Sequence, residues 1–385
     1  MTAFAFSTVA TILSEAGATT RLGEVIAERL PAARRILIVT DAGFLRTGLL
    51  EQPRRSLEQR GMTVAVFSGV VADPPEAIVL DAVEAARRID ADLVLGFGGG
   101  SSMDVAKLVA VLAPSTQPLA DIYGIGKVLG RRLPLVQVPT TAGTGSEVTN
   151  IAIVTTGATT KMGVVAAQLY ADLAILDAAL TLGLPPLVTA ATGIDAMVHA
   201  IEAYTSKHKK NPLSDALARE ALSLLSRNLL KACTHGSDLA VRQAMLLGAC
   251  LAGQAFSNAP VAAVHALAYP IGGIFHVPHG LSNALVLPHV LRFNLPEAAH
   301  LYAELAGIVA PGAQGSSMVR AEALIVAMQQ LGQQTGIETT LRQVGIQETD
   351  LDRLADDAML QTRLLGNNPR EVTRADARAI YAAAL

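Results

Sequence analysis

Along the first part of the chain, short β-branched runs alternate with stretches of helical period. The runs "RILIVT" (35–40), "MTVAVFS" (62–68) and "DLVLGF" (92–97) are separated by helical patterns near 46–60 and 75–89. Short apolar runs of this kind read as buried strands, and their alternation with helices reads as βαβ units in a parallel sheet. Three more runs, "LPLVQVPTT" (133–141), "IAIVTT" (151–156) and "DLAILD" (172–177), add strands to the same half. The helix from about residue 75 has a start signal in "ADPPE", with Asp73 as cap, prolines in early positions and Glu76 at capping-box spacing. After "LGLPP" (182–186) the strand-like runs stop. Ala/Leu-rich segments with i, i+3, i+4 spacing take over, as in "SDALAREALSLLSRNLLKAC" (214–233) and "LAVRQAMLLGACLAGQAF" (239–256). This predicts an α/β domain over 1–184 and an all-helical domain over 185–385. The length agrees, since single cores stop growing at about 250–300 residues.

Composition narrows the function classes. The chain is 51% hydrophobic and 16% charged, without low-complexity tracts, so it can bury a large core. A net charge of −3, with no basic cluster longer than "KHKK" (207–210), gives no footprint for nucleic acid. Cys233 and Cys250 both sit in apolar helical stretches and read as small buried hydrophobes, which fits a cytoplasmic location. No basic n-region opens the chain, and no uninterrupted apolar run reaches the roughly 18 residues of a membrane span, so neither export nor a membrane partner is expected.

Two glycine-rich turns carry candidate chemistry. In "LVLGFGGGSSMDVAK" (93–107) an apolar strand runs into glycines and serines and then a helix. Glycine lets backbone approach a phosphate, and the helix N-terminus offers unpaired N–H groups, so a pyrophosphate would sit at Gly98, Gly99, Gly100 and Ser101. The alternative is a tight turn without a ligand, because the spacing is not a clean G-x-G-x-x-G. "PTTAGTGSEVTN" (139–150) is a second Gly/Thr/Ser segment after a strand, with hydroxyls suited to phosphate, ribose or amide. Asp41 ends the first of the three opening runs, where a carboxylate accepts from a ribose 2′-hydroxyl and repels a 2′-phosphate; it serves equally as a helix N-cap.

The helical half holds a second constellation. "TGIDAMVHAIEAY" (192–204) places Asp195 and His199 one turn apart on one helix face, within reach of one ion or of each other. "HALAYPIGGIFHVPHG" (265–280) then spends three of the eight histidines of the chain in an apolar, Gly/Pro-rich stretch. Burying His265 and His279 without partners is costly, so Asp195, His199, His265 and His279 call for one shared metal centre. One carboxylate and three imidazoles suit Fe(II), Zn(II), Mn(II) or Co(II). Beside a nicotinamide, such an ion would polarise a carbonyl, which is what hydride transfer needs.

Together, "GGGSSMDVAK", "PTTAGTGSEVT", "GIDAMVHAIEAY" and the H-x13-HG spacing resemble the iron-containing (group III) alcohol dehydrogenase family, in the dehydroquinate synthase-like superfamily. The resemblance covers roughly residues 36–294. It implies an α/β N-terminal dinucleotide-binding domain plus an all-α C-terminal domain, with the metal in the cleft between them. It matches Asp195, His199, His265 and His279 to the metal ligands, and Asp41 to the acidic residue that selects NAD. Gly99, Gly100 and Ser101 match the pyrophosphate loop, and Thr140, Thr141, Thr144, Ser146 and Lys161 the rest of the cofactor groove. The implied cofactors are NAD and a divalent metal, Fe(II) first and Zn(II) second, and the implied assembly is a homodimer. The chain departs from the family at Tyr269, where many members carry a second histidine thought to relay protons. A phenol of pKa ~10 is a poorer shuttle near neutrality than an imidazole at ~6.5. Tyr269 and His276 are the candidate catalytic residues; His276 matches a variable polar position and either lines the cleft near the nicotinamide or is a surface histidine, while His208, His235, His289 and His300 read as structural. In "FSNAPVAAVHAL", Pro260 and Val261 are expected to reshape the pocket wall near Phe256.

The expected activity is that of an NAD-dependent, divalent-metal alcohol dehydrogenase or aldehyde reductase acting on a small substrate. The rivals are a reductase of oxo acids, like the maleylacetate reductases, which lack the full metal quartet, and a cofactor-binding scaffold that has lost activity through Tyr269.

Overall fold

The computed structural model of the chain describes residues 3–157 and 160–385. It divides into two compact units. One comprises Thr8–Thr141 and Gly145–Gly183; the other comprises Leu184–Leu385 with the short piece Ala142–Thr144 and the N-terminal residues up to Ser7.

The first unit is α/β. Its main sheet is parallel, six strands in the order β1-β9-β6-β4-β2-β3: β1 (Thr11–Ser14), β2 (Arg35–Asp41), β3 (Thr63–Val70), β4 (Leu93–Gly98), β6 (Leu135–Pro139) and β9 (Leu173–Leu176). Every residue of β4, β6 and β9 is buried, which is why those runs are continuously apolar instead of alternating. The crossovers include α1 (Leu22–Arg29), α2 (Ala42–Arg46), α3 (Glu51–Gln59), α4 (Glu76–Arg88) and α5 (Gly100–Leu112). Leu22, Ile26 and Leu57 from the helices pack on Ile36, Ile38, Leu95 and Phe97 from the sheet. Burial of such side chains contributes about 1.5–3 kcal/mol each.

The run 151–156 forms β7 (Ile151–Thr156), a strand of this half as expected, within a second sheet. It pairs antiparallel with β8 (Thr160–Val165), which in turn pairs with β5 (Gly124–Ile125), giving a separate three-stranded sheet. Its residues alternate in burial, the mark of a sheet with one covered face. One expectation is corrected: the capping box at the start of α4 is absent. Pro75 occupies the N-cap and Asp73 sits at φ 52°. The pull comes from β7: the N–H of Thr155 donates to Pro74 O at 2.9 Å and its hydroxyl to Asp73 O at 2.9 Å. The Asp73 carboxylate pairs instead with Lys161 Nζ at 2.5 Å, and Glu76 accepts from the Tyr123 hydroxyl at 2.8 Å.

The second unit is helical: α6 (Pro186–Tyr204), α7 (Pro212–Thr234), α8 (Leu239–Asn258), α9 (Ala263–Phe275), α10 (His279–Val309), α11 (Ser317–Thr335), α12 (Leu351–Met359), α13 (Thr362–Leu365) and α14 (Arg374–Ala384). Helix α6 is buried continuously from Gly193 to Tyr204, as an apolar helix at the centre of a bundle must be. Close approach is bought with glycine: a Cβ at Gly193 would lie 2.4 Å from Leu229 Cδ1, and one at Gly280 would lie 2.5 Å from Ala191 O. Among the described residues, α8 alone is long and apolar enough to cross a membrane, and 67% of its apolar window is buried inside the protein.

Candidate metal centre and cofactor loop

Three helices of the second unit bring one cluster together. Asp195 and His199 project from successive turns of α6, His265 from the first turn of α9, and His279 from the first residue of α10. One ligand atom from each lies within 4.8 Å of all the others. Asp195 Oδ1 stands 3.9 Å from His199 Nε2, 3.8 Å from His265 Nε2 and 3.7 Å from His279 Nε2. Bonds of about 2.1 Å at tetrahedral angles put ligand atoms about 3.4 Å apart, close to the spacing of the three imidazole nitrogens from Asp195 Oδ1. The rings of His199 and His265 stack at 4.7 Å, and Phe256 stacks on His199 at 4.3 Å. The pocket wall expected at Phe256 is thus a ring that covers one imidazole of the cluster.

The electrostatics suit a cation. Burial, reinforced by the neighbouring imidazoles and opposed by Asp195, pushes His199 down to about 3, so its ring is neutral at physiological pH. Burial alone would raise Asp195, but the facing histidines and the Asn283 amide outweigh it and hold the carboxyl below its usual range. An ionised carboxylate faces a neutral His199 with a lone pair to donate. The donor set, one hard oxygen and three nitrogens, fits Fe(II) or Zn(II).

Sequence reasoning missed two buried neighbours. Asn283, one turn after His279, donates through Nδ2 to Asp195 Oδ1 at 2.6 Å and lies 3.3 Å from both His265 Nε2 and His279 Nε2. Glu202, three residues after His199, lies 2.7 Å from His265 Nδ1. The available signal was spacing: Glu202 falls at i+7 from Asp195 in an otherwise apolar helix, so it shares that face. Two glycines complete the cradle. Gly280 lets the start of α10 touch the α6 backbone, and Gly143, from the second glycine-rich segment, packs on Thr192, where a Cβ would lie 2.7 Å from Thr192 Cβ.

Tyr269 follows His265 by one turn and is half-buried, with its ring centroid 5.9 Å from that of His279. His276 takes a different position. It is exposed at the C-cap of α9 in a left-handed conformation, φ 57°, its N–H returning to Gly272 O at 3.0 Å, and its ring is not part of the imidazole cluster. That geometry makes it a helix terminator.

In the α/β unit, the C-terminal ends of the neighbouring strands β2, β4 and β6 carry Asp41, Gly98 and Thr140, the location where open parallel sheets bind ligands. Asp41 caps α2, its Oδ1 accepting from the N–H of Phe44 at 2.8 Å. Its Oδ2 faces Gly98, where a Cβ would lie 3.5 Å away. Both roles open to Asp41 are therefore compatible. A Cβ at Gly98 would also lie 2.7 Å from Ser102 Oγ, so only glycine lets this strand turn directly into α5. Gly99 is the N-cap of α5, with no side chain capping the helix, and Gly100 and Ser101 are half-buried in its first turn. Thr140 donates its N–H to Gly98 O at 2.9 Å, and Thr141 is adjacent to Gly99. Two other expected groove residues are engaged elsewhere. Ser146 is buried, donating to Asp104 Oδ1 at 2.6 Å and accepting from the fully buried Lys107 Nζ at 2.7 Å. Lys161 is held by Asp73 and donates to Thr155 Oγ1 at 3.3 Å. Thr144 belongs to the piece grouped with the helical unit.

A parallel α/β unit, a helical unit and an Asp–His–His–His cluster in which Asp195, His199 and His265 are buried define a class of metal-dependent enzyme. Comparison with known proteins gives the family. The iron-containing alcohol dehydrogenase model matches residues 10–178, and the C-terminal model of the Fe-containing alcohol dehydrogenase family matches residues 189–385. The chain belongs to the iron-containing alcohol dehydrogenase family. It is 45% identical to long-chain-alcohol dehydrogenase 1 of Geobacillus thermodenitrificans, over 91% of this chain and 90% of that protein. It is 35% identical to the NAD-dependent methanol dehydrogenase of Bacillus methanolicus, over 92% and 93%. A crystal structure of 1,3-propanediol oxidoreductase superposes with a TM-score of 0.95 at 35% identity, covering 100% of both chains.

Proposed function

We propose that this protein is an NAD-dependent, divalent-metal alcohol dehydrogenase that interconverts a small alcohol and its aldehyde. The observation that carries this reading is the convergence of Asp195, His199, His265 and His279, with their ligand atoms within 4.8 Å of one another. These four residues would hold the metal, Fe(II) before Zn(II). When bound, it would supply Lewis-acid polarisation of the substrate oxygen, which would lower the barrier to hydride transfer. Asp195 supplies the one negative charge of the set, and the neutral His199 supplies a lone pair. Asn283 holds the carboxylate by its amide. Tyr269 stands beside His279 and presents a phenol for handling the substrate proton.

Gly98, Gly99, Gly100 and Ser101 receive the pyrophosphate of NAD at the start of α5, where N–H groups and the helix dipole favour an anion. Asp41 accepts from the adenosine ribose and repels the 2′-phosphate of NADP. Thr140 and Thr141 line the adjoining strand end. Ser146 and Lys161 act through the fold around this loop, given the partners they already hold. A cytoplasmic homodimer acting on a small alcohol completes the reading. The intact quartet, and relatives named alcohol and methanol dehydrogenases, favour it over the maleylacetate-reductase type. The test is a panel of short alcohols with NAD and anaerobically Fe(II)-loaded protein. NADH must appear with at least one alcohol; cofactor binding without turnover on the whole panel supports the scaffold reading instead.

A further inference from the structure

Glu202 is buried to 3% exposure within α6, and three donors converge on its carboxylate. The N–H of Ala262 donates to Oε2 at 2.9 Å, the N–H of Val264 to Oε1 at 2.7 Å, and His265 Nδ1 lies 2.7 Å from Oε2. Ala262 is the N-cap of α9, and no side-chain cap comes from within that helix. The first N–H groups of a helix have no intrahelical acceptor, and here they are buried. Glu202 supplies the acceptor from a neighbouring helix, where the positive end of the α9 dipole favours its charge. The same carboxylate fixes the His265 ring. With Nδ1–H donating to Oε2, the Nε2 lone pair points toward Asp195 Oδ1, 3.8 Å away, in the middle of the ligand cluster. The other tautomer would set a lone pair against the carboxylate and aim an N–H at the cluster.

We propose that Glu202 is a positioning residue that locks His265 in its Nδ1–H tautomer while capping the helix that carries both His265 and Tyr269. The inference rests on the metal reading of the Asp–His cluster. It makes one carboxylate responsible for two things usually separate, the start of a helix and the aim of a ligand. Outer carboxylates of this kind typically change metal affinity about 10- to 100-fold when removed. Glu202→Gln keeps the volume but offers one acceptor oxygen where three donors converge on two.

The test has two arms. In protein labelled with 15N-histidine, metal-free and Zn(II)-loaded, long-range ring couplings report the tautomer of His265; the Nδ1–H form is expected, and the Nε2–H form in the parent overturns the proposal. Chelator competition with Zn(II) and Co(II) then compares the parent with Glu202→Gln, alongside their melting temperatures. The variant should bind both metals about 10- to 100-fold more weakly and show an altered Co(II) ligand-field spectrum. A variant that melts lower but keeps the parent's metal affinity and spectrum makes Glu202 a cap only and overturns the proposal. A parent that binds neither metal refutes the metal reading, and the tautomer arm still decides what Glu202 does to His265.

Discussion

Gly280 tests whether the helix contact at the metal centre is as tight as the backbone demands. It is the second residue of α10, directly after His279, and a Cβ there would lie 2.5 Å from Ala191 O and 2.8 Å from Ala191 C on α6. Both are backbone atoms, so no side chain can swing aside. Ordinary contact begins near 3.4 Å, so Gly280→Ala must part the helices locally by about 0.9 Å. Two effects oppose each other. Alanine in place of glycine favours a helix by up to about 1 kcal/mol, less at its first turn. Overpacking a tight contact costs about 1–3 kcal/mol. The clash should win, and the melting temperature should fall. The displacement also exceeds the ±0.2 Å to which metal–ligand distances are held, and it acts on the residue adjoining His279. Metal affinity should therefore drop at least tenfold, about 1.4 kcal/mol. Thermal melting and chelator competition on the same preparation read both effects. A variant that melts at or above the parent and binds metal equally well would refute the reasoning, because it would show that α10 accommodates the methyl without moving.

Three other perturbations probe separate parts of the account. Asp41→Gly should lower the Michaelis constant for NADP by about tenfold or more, as removal of a like charge worth at least 1.4 kcal/mol implies; a parent that already uses NADP as well as NAD denies Asp41 that role. Tyr269→His should add an inflection at about pH 6–7 to the pH profile of alcohol oxidation, whereas Tyr269→Phe should keep activity if the ring acts only as a wall; identical profiles for all three would make the position neutral. Burial, with the Arg292 guanidinium nearby, holds His289 down to about 4 from its ordinary 6.5. The unfolded chain then binds the proton more readily. The stability from the neutral native ring is fully present above about pH 6.5 and is lost as pH falls through 4. His289→Gln should flatten the fall of melting temperature between pH 6.5 and 4, and an unchanged slope would deny His289 this part.

Much of this architecture is legible in the sequence because buried parallel strands must be apolar throughout. The three opening runs coincide with β2, β3 and β4, and the long Ala/Leu segments with α7 and α8. Strands β1 and β8 escape because β1 is only four residues at a sheet edge and "TKMGVV" mixes polar and apolar positions. The capping box failed for a tertiary reason: Thr155 on β7 claims the backbone at Asp73 and Pro74, which no local pattern shows. At the metal centre, residue type and helical spacing pointed to Asp195, His199, His265 and His279, which the structure gathers into one cluster. Helical spacing put Glu202 on the Asp195 face, but the partners of Glu202 and Asn283 lie on other helices, across contacts that periodicity does not specify.

The most direct measurement titrates Fe(II) anaerobically into chelator-stripped protein while NADH formation from NAD and a productive alcohol is followed. The account predicts no turnover without metal and a rate that rises in proportion to occupancy, saturating at one ion for each Asp195–His199–His265–His279 cluster. Turnover that is complete in the stripped protein and indifferent to added metal would contradict it.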